Sequence, residues 1–177
     1  MRAALWSSRL RVAETILADS ILVIGIGNTL RRDDGAGWIF AEMLASELQK
    51  AGQRVHLASQ HQLTLELAEE AAELRPSHII FVDASVTTHD AALTPLLGAA
   101  PGSAAPVNAA PANAASHGLT PAALFALMRR LYAVAAAGWL VQTPAEDFGH
   151  GEGLSEAARH GVQAAPRIAS AFLRLNC

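Results

Sequence analysis

The chain has 177 residues, 51% hydrophobic and 16% charged, with a formal net charge of -3, which suits one domain with a sizeable core. Its Arg residues are scattered, with Arg31-Arg32 and Arg129-Arg130 the adjacent pairs, so no nucleic-acid surface of clustered Lys and Arg is expected. The single cysteine, Cys177, allows neither an internal disulfide nor a Cys-based zinc site and suggests a reducing cytoplasm, and no apolar run reaches the ~18–20 residues that span a bilayer.

Residues 1–20 place Arg2, Arg9, Arg11, Glu14 and Asp19 among apolar residues. No secretory h-region fits there, and the stretch reads as an N-terminal extension to a domain over 21–175. Ile21 to Ile26 is a continuous, β-branched apolar run, as in a strand buried on both faces of a parallel sheet. A turn follows at Gly27-Asn28. After Gly37, the four-residue spacing of Phe40, Leu44 and Leu48, with Ile39 and Met43 beside them, predicts a helix that ends at Gly52. Arg54–Ala58 is a weaker strand. Leu63–Leu74 is a helix with Leu63, Leu67, Ala71 and Leu74 on one side. His78–Asp83 is a third strand, again continuously apolar.

From Gly98 to Ala115 the sequence turns to Ala, Pro, Gly, Ser and Asn, which reads as a loop. Thr120 as N-cap and Pro121 at the first helical position open the next helix, with Leu124, Leu127, Met128 and Leu131 as its buried stripe. Gly138–Thr143 is a further strand. Ser155 caps a last helix that Gly161 and Pro166 break or bend. Alternating strands and helices imply βαβ units, a mostly parallel sheet and helices on both faces.

In such a sheet, ligands bind beyond the carboxyl ends of the strands, near a switch in strand order. Asp33 and Asp34 follow strand one, Asp83 ends strand three, and His117 precedes a helix start. Each has a plain structural alternative. Asp34 suits a helix cap, favoured by the macrodipole; Asp33 a cap or an exposed loop position; Asp83 a turn residue bonded to Ser85; His117 a solvated loop residue. Their conjunction on one rim is what points to a site. His61, just after strand two, is placed to join it.

Two chemistries compete for that rim. Gly25-Ile-Gly27 opens like a dinucleotide fingerprint, but Leu30 holds the place of the third glycine and strand two ends without an acid for a ribose. Asp33 and Asp34 would also repel phosphates, so no nucleotide cofactor is expected. A divalent ion fits better: two carboxylates and an imidazole suit Ni²⁺ or Zn²⁺ rather than Ca²⁺ or Mg²⁺. No His-Glu-x-x-His helix and no Gly-x-Ser-x-Gly elbow is present.

The run Gly25-Ile-Gly27-Asn28, Leu30, Asp33-Asp34-Gly35-Ala-Gly37 resembles the opening signature of the [NiFe]-hydrogenase maturation endopeptidases. Val82-Asp83-Ala84 resembles that family's strand-end aspartate, and Ser116-His117-Gly118-Leu119 its histidine motif. The block from His61 to Ala68 is similar to one branch of the family, and Glu146-Asp147-Phe148-Gly149 with Gly153-Leu154-Ser155 to the segment before the final helix. The resemblance implies a phosphorylase/hydrolase-like α/β fold, a three-layer αβα sandwich with a twisted, mostly parallel five-stranded sheet. It implies an endopeptidase that trims the C-terminal extension of a hydrogenase large-subunit precursor after nickel insertion, working as a cytoplasmic monomer without membrane insertion. Nickel, met in the substrate rather than permanently bound, would contact Asp34, Asp83 and His117, with His61 a possible fourth group. Asp34 or Asp33 would activate water, and Gly27 and Asn28 would position the substrate. A non-catalytic nickel-binding maturation chaperone on the same fold is the alternative. Asp34 stands where many members carry Glu, and Leu65 where the related block has Pro.

Overall fold

The computed structural model describes residues 20–96 and 119–176. The extension up to residue 19, the expected 98–115 loop and His117 lie outside the described residues.

Five strands form one sheet in the order β2-β1-β3-β5-β4. β1 (Ser20–Ile26) is buried along its whole length, as its uninterrupted apolar run requires. It pairs in parallel with β2 (Arg54–Gln60) on one side and with β3 (His78–Ser85) on the other. β5 (Ala137–Pro144) continues the parallel set beside β3. β4 (Ala92–Leu96) closes the edge and runs antiparallel to β5.

Residue alternation along the strands divides the core into two layers. Ile21, Val23, Ile80, Val82 and Val141 pack with α1 (Ala36–Lys50), α4 (Glu156–Val162) and α5 (Ala165–Asn176). Leu22, Ile24, Ile79 and Phe81 face α2 (Glu66–Leu74) and α3 (Pro121–Tyr132) on the opposite side. The result is the expected αβα sandwich, with helices covering both faces of a sheet that needs both covered. No helix among the described residues is long and apolar enough to cross a membrane.

Several expectations need adjustment. β4 has no alternation of its own, and its Pro95 lacks the N–H of a central strand; pairing only with β5 makes both tolerable. α2 begins at Glu66 rather than Leu63, although Leu63 still reaches the core. Leu131 is 61% exposed rather than buried, and Phe125 is the large buried residue of α3 that the four-residue stripe passed over. α3 ends one residue after Leu131, at Tyr132, and Val134 fills the core beyond it. β3 continues two residues past Asp83. The last helical stretch does divide, into α4 and α5. A Cβ on Gly161 would come within 2.6 Å of Thr143 Oγ1 and of Pro144, so that glycine lets α4 lie directly on β5. Ser155 and Thr120 cap their helices as expected, accepting from the N–H of Ala158 and Ala123.

Candidate functional site

The chain leaves β1 toward β2 on one side and returns as β3 on the other. The strand order therefore switches between β1 and β3, and the turn after β1 stands over that switch. Gly27, at φ +134°, begins the turn, and a Cβ there would sit 1.8 Å from the carbonyl oxygen of Asp34. Only a glycine permits that approach. Asn28 then closes an Asx turn, its Oδ1 accepting the N–H of Leu30 at 2.9 Å. A 3-10 turn over Arg32–Gly35 follows and runs straight into α1. Gly37 completes the packing: a Cβ would meet the Ile26 carbonyl oxygen at 2.1 Å.

The paired acids of this turn face different surroundings. Asp33 is fully buried. Its Oδ2 accepts the N–H groups of Glu146 and Asp147 at 2.8 and 2.9 Å, and its Oδ1 accepts that of Ser155 at 2.6 Å. Burial pushes its carboxyl up, but these backbone donors and the Ser155 hydroxyl outweigh burial and hold it below the usual carboxylate range. With four donors on two oxygens, its acceptor capacity is filled. Asp33 thus staples the turn to the β5–α4 loop and is neither exposed nor a helix cap. The same junction carries the backbone bonds Asp33 N–H to the Asp147 carbonyl and Arg32 N–H to the Gly151 carbonyl, together with an Arg32–Asp147 ion pair.

Asp34 keeps its carboxylate at the rim, with 21% of the side chain exposed. It makes no cap bond to α1, whose N-cap is Gly35. Burial raises its pKa, opposed by the charge of Arg31, the backbone N–H of Asn28 and the charge of His61. Arg31 lies 3.8 Å away, a loose ion pair that leaves the carboxylate available. Asp83, on β3 opposite Gln142 of β5, is partly buried. Its carboxyl is pushed up to about 6 by burial and by the negative charge of Asp34, against the N–H of Ala84. Asp83 thus lies near enough to Asp34 to feel its charge. Two carboxyls with raised pKa values, one of them raised in part by the charge of the other, mark a place where an added cation or proton would be favoured.

His61 joins the rim. Its charge is felt at Asp34, and its ring lies 4.9 Å from that of Trp38, tilted by 37°. Trp38 and Arg31 had no motif to flag them; the usable signal was that Trp38 follows Asp34 by four residues, one helical turn into α1. Among the described residues, no three His, Cys, Asp or Glu side chains are grouped closely enough to hold a metal ion. His117 lies outside them. A pocket of about 190 Å³ lies against the turn, lined by Thr29, Arg32, Gly35, Ile39, Glu152, Gly153 and Leu154, and includes neither Asp34 nor Asp83.

No protein-family model matches the chain, and no curated protein sequence matches it. Solved structures do. A [NiFe] hydrogenase maturation protease, HycI, from Thermococcus kodakarensis KOD1 aligns with a TM-score of 0.59 at 23% identity, over 87% of this chain and 90% of its own. The hydrogenase maturating endopeptidase HybD from E. coli aligns at 0.54 and 18%, over 88% and 92%. An uncharacterized protein from Wolinella succinogenes aligns at 0.58 and 19%, over 89% and 99%. The chain has the fold of the [NiFe]-hydrogenase maturation proteases. The alignments span 87–89% of this chain and 90–99% of the other.

Proposed function

We propose that this chain is an endopeptidase that removes the C-terminal extension of a [NiFe]-hydrogenase large-subunit precursor once nickel is in place, acting in the cytoplasm. The observation that carries the reading is the pair of carboxylates, Asp34 and Asp83, held with raised pKa values at the switch point of this fold. Nickel enters as part of the substrate. It would dock against Asp34, Asp83 and His117, relieving the repulsion between the two acids, while Gly27 and Asn28 shape the turn that receives the chain. A precursor without nickel would leave that repulsion unrelieved.

Asp34 is then the group that activates water. The water oxygen adds to the scissile carbonyl carbon, its proton passes to the Asp34 carboxylate, and the C–N bond breaks as the proton is handed to the leaving amine. Asp33 is assigned to holding the turn, because its oxygens are already filled by the β5–α4 loop.

The test is direct. Incubation with nickel-loaded precursor should produce a mass loss at the precursor's C-terminus, and nickel-free precursor should stay intact. Asp34→Asn and His117→Ala should each abolish the cleavage while leaving the far-ultraviolet spectrum unchanged. A nickel-loaded precursor that is bound but never shortened would sink the protease reading and leave a nickel-binding maturation chaperone in its place.

A further inference from the structure

Gln60 ends β2, and its carbonyl oxygen receives two donors from different elements. The N–H of Gly27 donates from the turn after β1 at 3.0 Å, and the indole N–H of Trp38 donates from the first turn of α1 at 3.1 Å. The next residue is His61, which leaves the strand as an exposed bend. A histidine in that position has free rotation about both side-chain torsions unless something holds it. Here the Trp38 ring lies against the imidazole, 4.9 Å between centroids. One tryptophan thus fixes the backbone before His61 with its N–H and the side chain of His61 with its face.

We infer that Trp38 is a positioning residue of the site, acting through His61: it holds the imidazole at the rim, beside the turn that carries Asp34. The inference rests on the endopeptidase reading for its kinetic consequence but not for its geometry. Three features support it. Trp38 is only partly buried, so it is not simply a core residue, and hydrophobic packing alone would not need its N–H. Its N–H bond and its ring contact are both to the segment 60–61. And Gln60 pairs with Ile26 in the sheet, so His61 leaves β2 beside the turn that carries Asp34, the acid proposed to activate water. The tilted ring contact favours one rotamer of an otherwise exposed side chain.

A double-mutant cycle tests this on the full chain. Trp38→Phe keeps a ring but loses the N–H; Trp38→Ala loses both; His61→Gln removes the imidazole. Trp38→Ala and His61→Gln should each lower kcat for nickel-loaded precursor by roughly tenfold or more, as misplaced catalytic groups do, with KM little changed, and Trp38→Phe should fall between. In the His61→Gln background, Trp38→Ala should cost nothing further. Fully additive losses, or a rise in KM with kcat unchanged, would overturn the inference. Should Trp38→Ala fail to fold, Trp38→Phe carries the same cycle. A second readout needs no cleavage: the ring protons of His61 should move downfield in the NMR spectrum of Trp38→Ala, as the indole ring current is removed. Unmoved His61 resonances would refute the contact. If the wild-type chain cuts nothing, the functional reading fails while the NMR result still decides the contact.

Discussion

Asp33 and Asp34 share a peptide bond, yet their surroundings pull their protonation in opposite directions. Asp33 has its pKa depressed by backbone donors. The folded state therefore prefers its ionised form, and its contribution to stability is present above the unfolded pKa near 3.8 and lost as pH falls through the lower folded value. Asp33→Asn keeps the shape but weakens charge-assisted bonds to buried N–H groups, and should cost about 2–4 kcal/mol, measured by urea denaturation at pH 7. Asp34→Asn should leave stability within about 1 kcal/mol or raise it slightly, since it removes a partly desolvated charge. Asp83 runs the other way from Asp33. Its folded pKa of about 6 lies above the ordinary aspartate value of 3.8, so the favourable contribution is present below 3.8 and is lost as pH rises through 6. At pH 7–8, Asp83→Asn should therefore be more stable than wild type by on the order of 2–3 kcal/mol. That gain should vanish below about pH 4, as urea midpoints across the pH range would report. A constant difference at all pH values would mean that the carboxyl is not strained by its surroundings.

At the scale of the element, the turn from Gly27 to Gly37 is the most constrained segment and also the most legible. Its glycines, its asparagine and its two acids could be read as a tight turn delivering carboxylates, because each of those residue types has a local backbone reason to be there. The family resemblance favours Asp34, but the turn's own residues do not say which acid faces the rim. That depends on the β5–α4 loop, more than a hundred residues away, whose N–H groups claim Asp33. Arg32 was equally opaque. It sits at φ +46°, a conformation that costs a non-glycine residue about 1 kcal/mol, and its N–H bond to the Gly151 carbonyl and its ion pair with Asp147 hold it there. Arg32→Gly should relieve the backbone and lose an exposed ion pair worth about 0–1 kcal/mol, so its thermal midpoint should stay close to that of wild type. Gly27→Ala is the opposite case. Its Cβ would meet the Asp34 carbonyl oxygen at 1.8 Å, and the turn must open to admit it. The expected cost is about 3 kcal/mol or more, from overpacking joined to a left-handed alanine, with cleavage lost because Asp34 moves.

Across the whole molecule, layer structure explains both what the sequence disclosed and where it misled. Strands buried on both faces read plainly as apolar runs, so β1 and β3 stood out. β4 escaped because an edge strand with Pro95 lacks that signature, and Leu131 was misjudged because the buried face of α3 runs through Leu124, Phe125, Met128 and Tyr132, to one side of the stripe that the leucine spacing suggested. The same layering separates stability from the site. Asp34 stands in the turn that leads into α1, whereas Phe125 of α3 lies in the core on the other face of the sheet with Leu124, Met128 and Phe81. Gly138 meets it so closely that a Cβ would come within 2.6 Å of its ring, leaving little room for that core to collapse around a void. Phe125→Ala should therefore cost about 3–5 kcal/mol, read as a lowered urea midpoint. Cleavage per folded molecule should nevertheless match wild type, assayed at a temperature where circular dichroism shows the variant folded. A variant that is folded but cuts slowly would show that the α2–α3 layer sets the geometry of the acid pair through β1 and β3, whereas a weak chain with a normal rate would mean that the rim is positioned by the Asp33 staple and α1 alone.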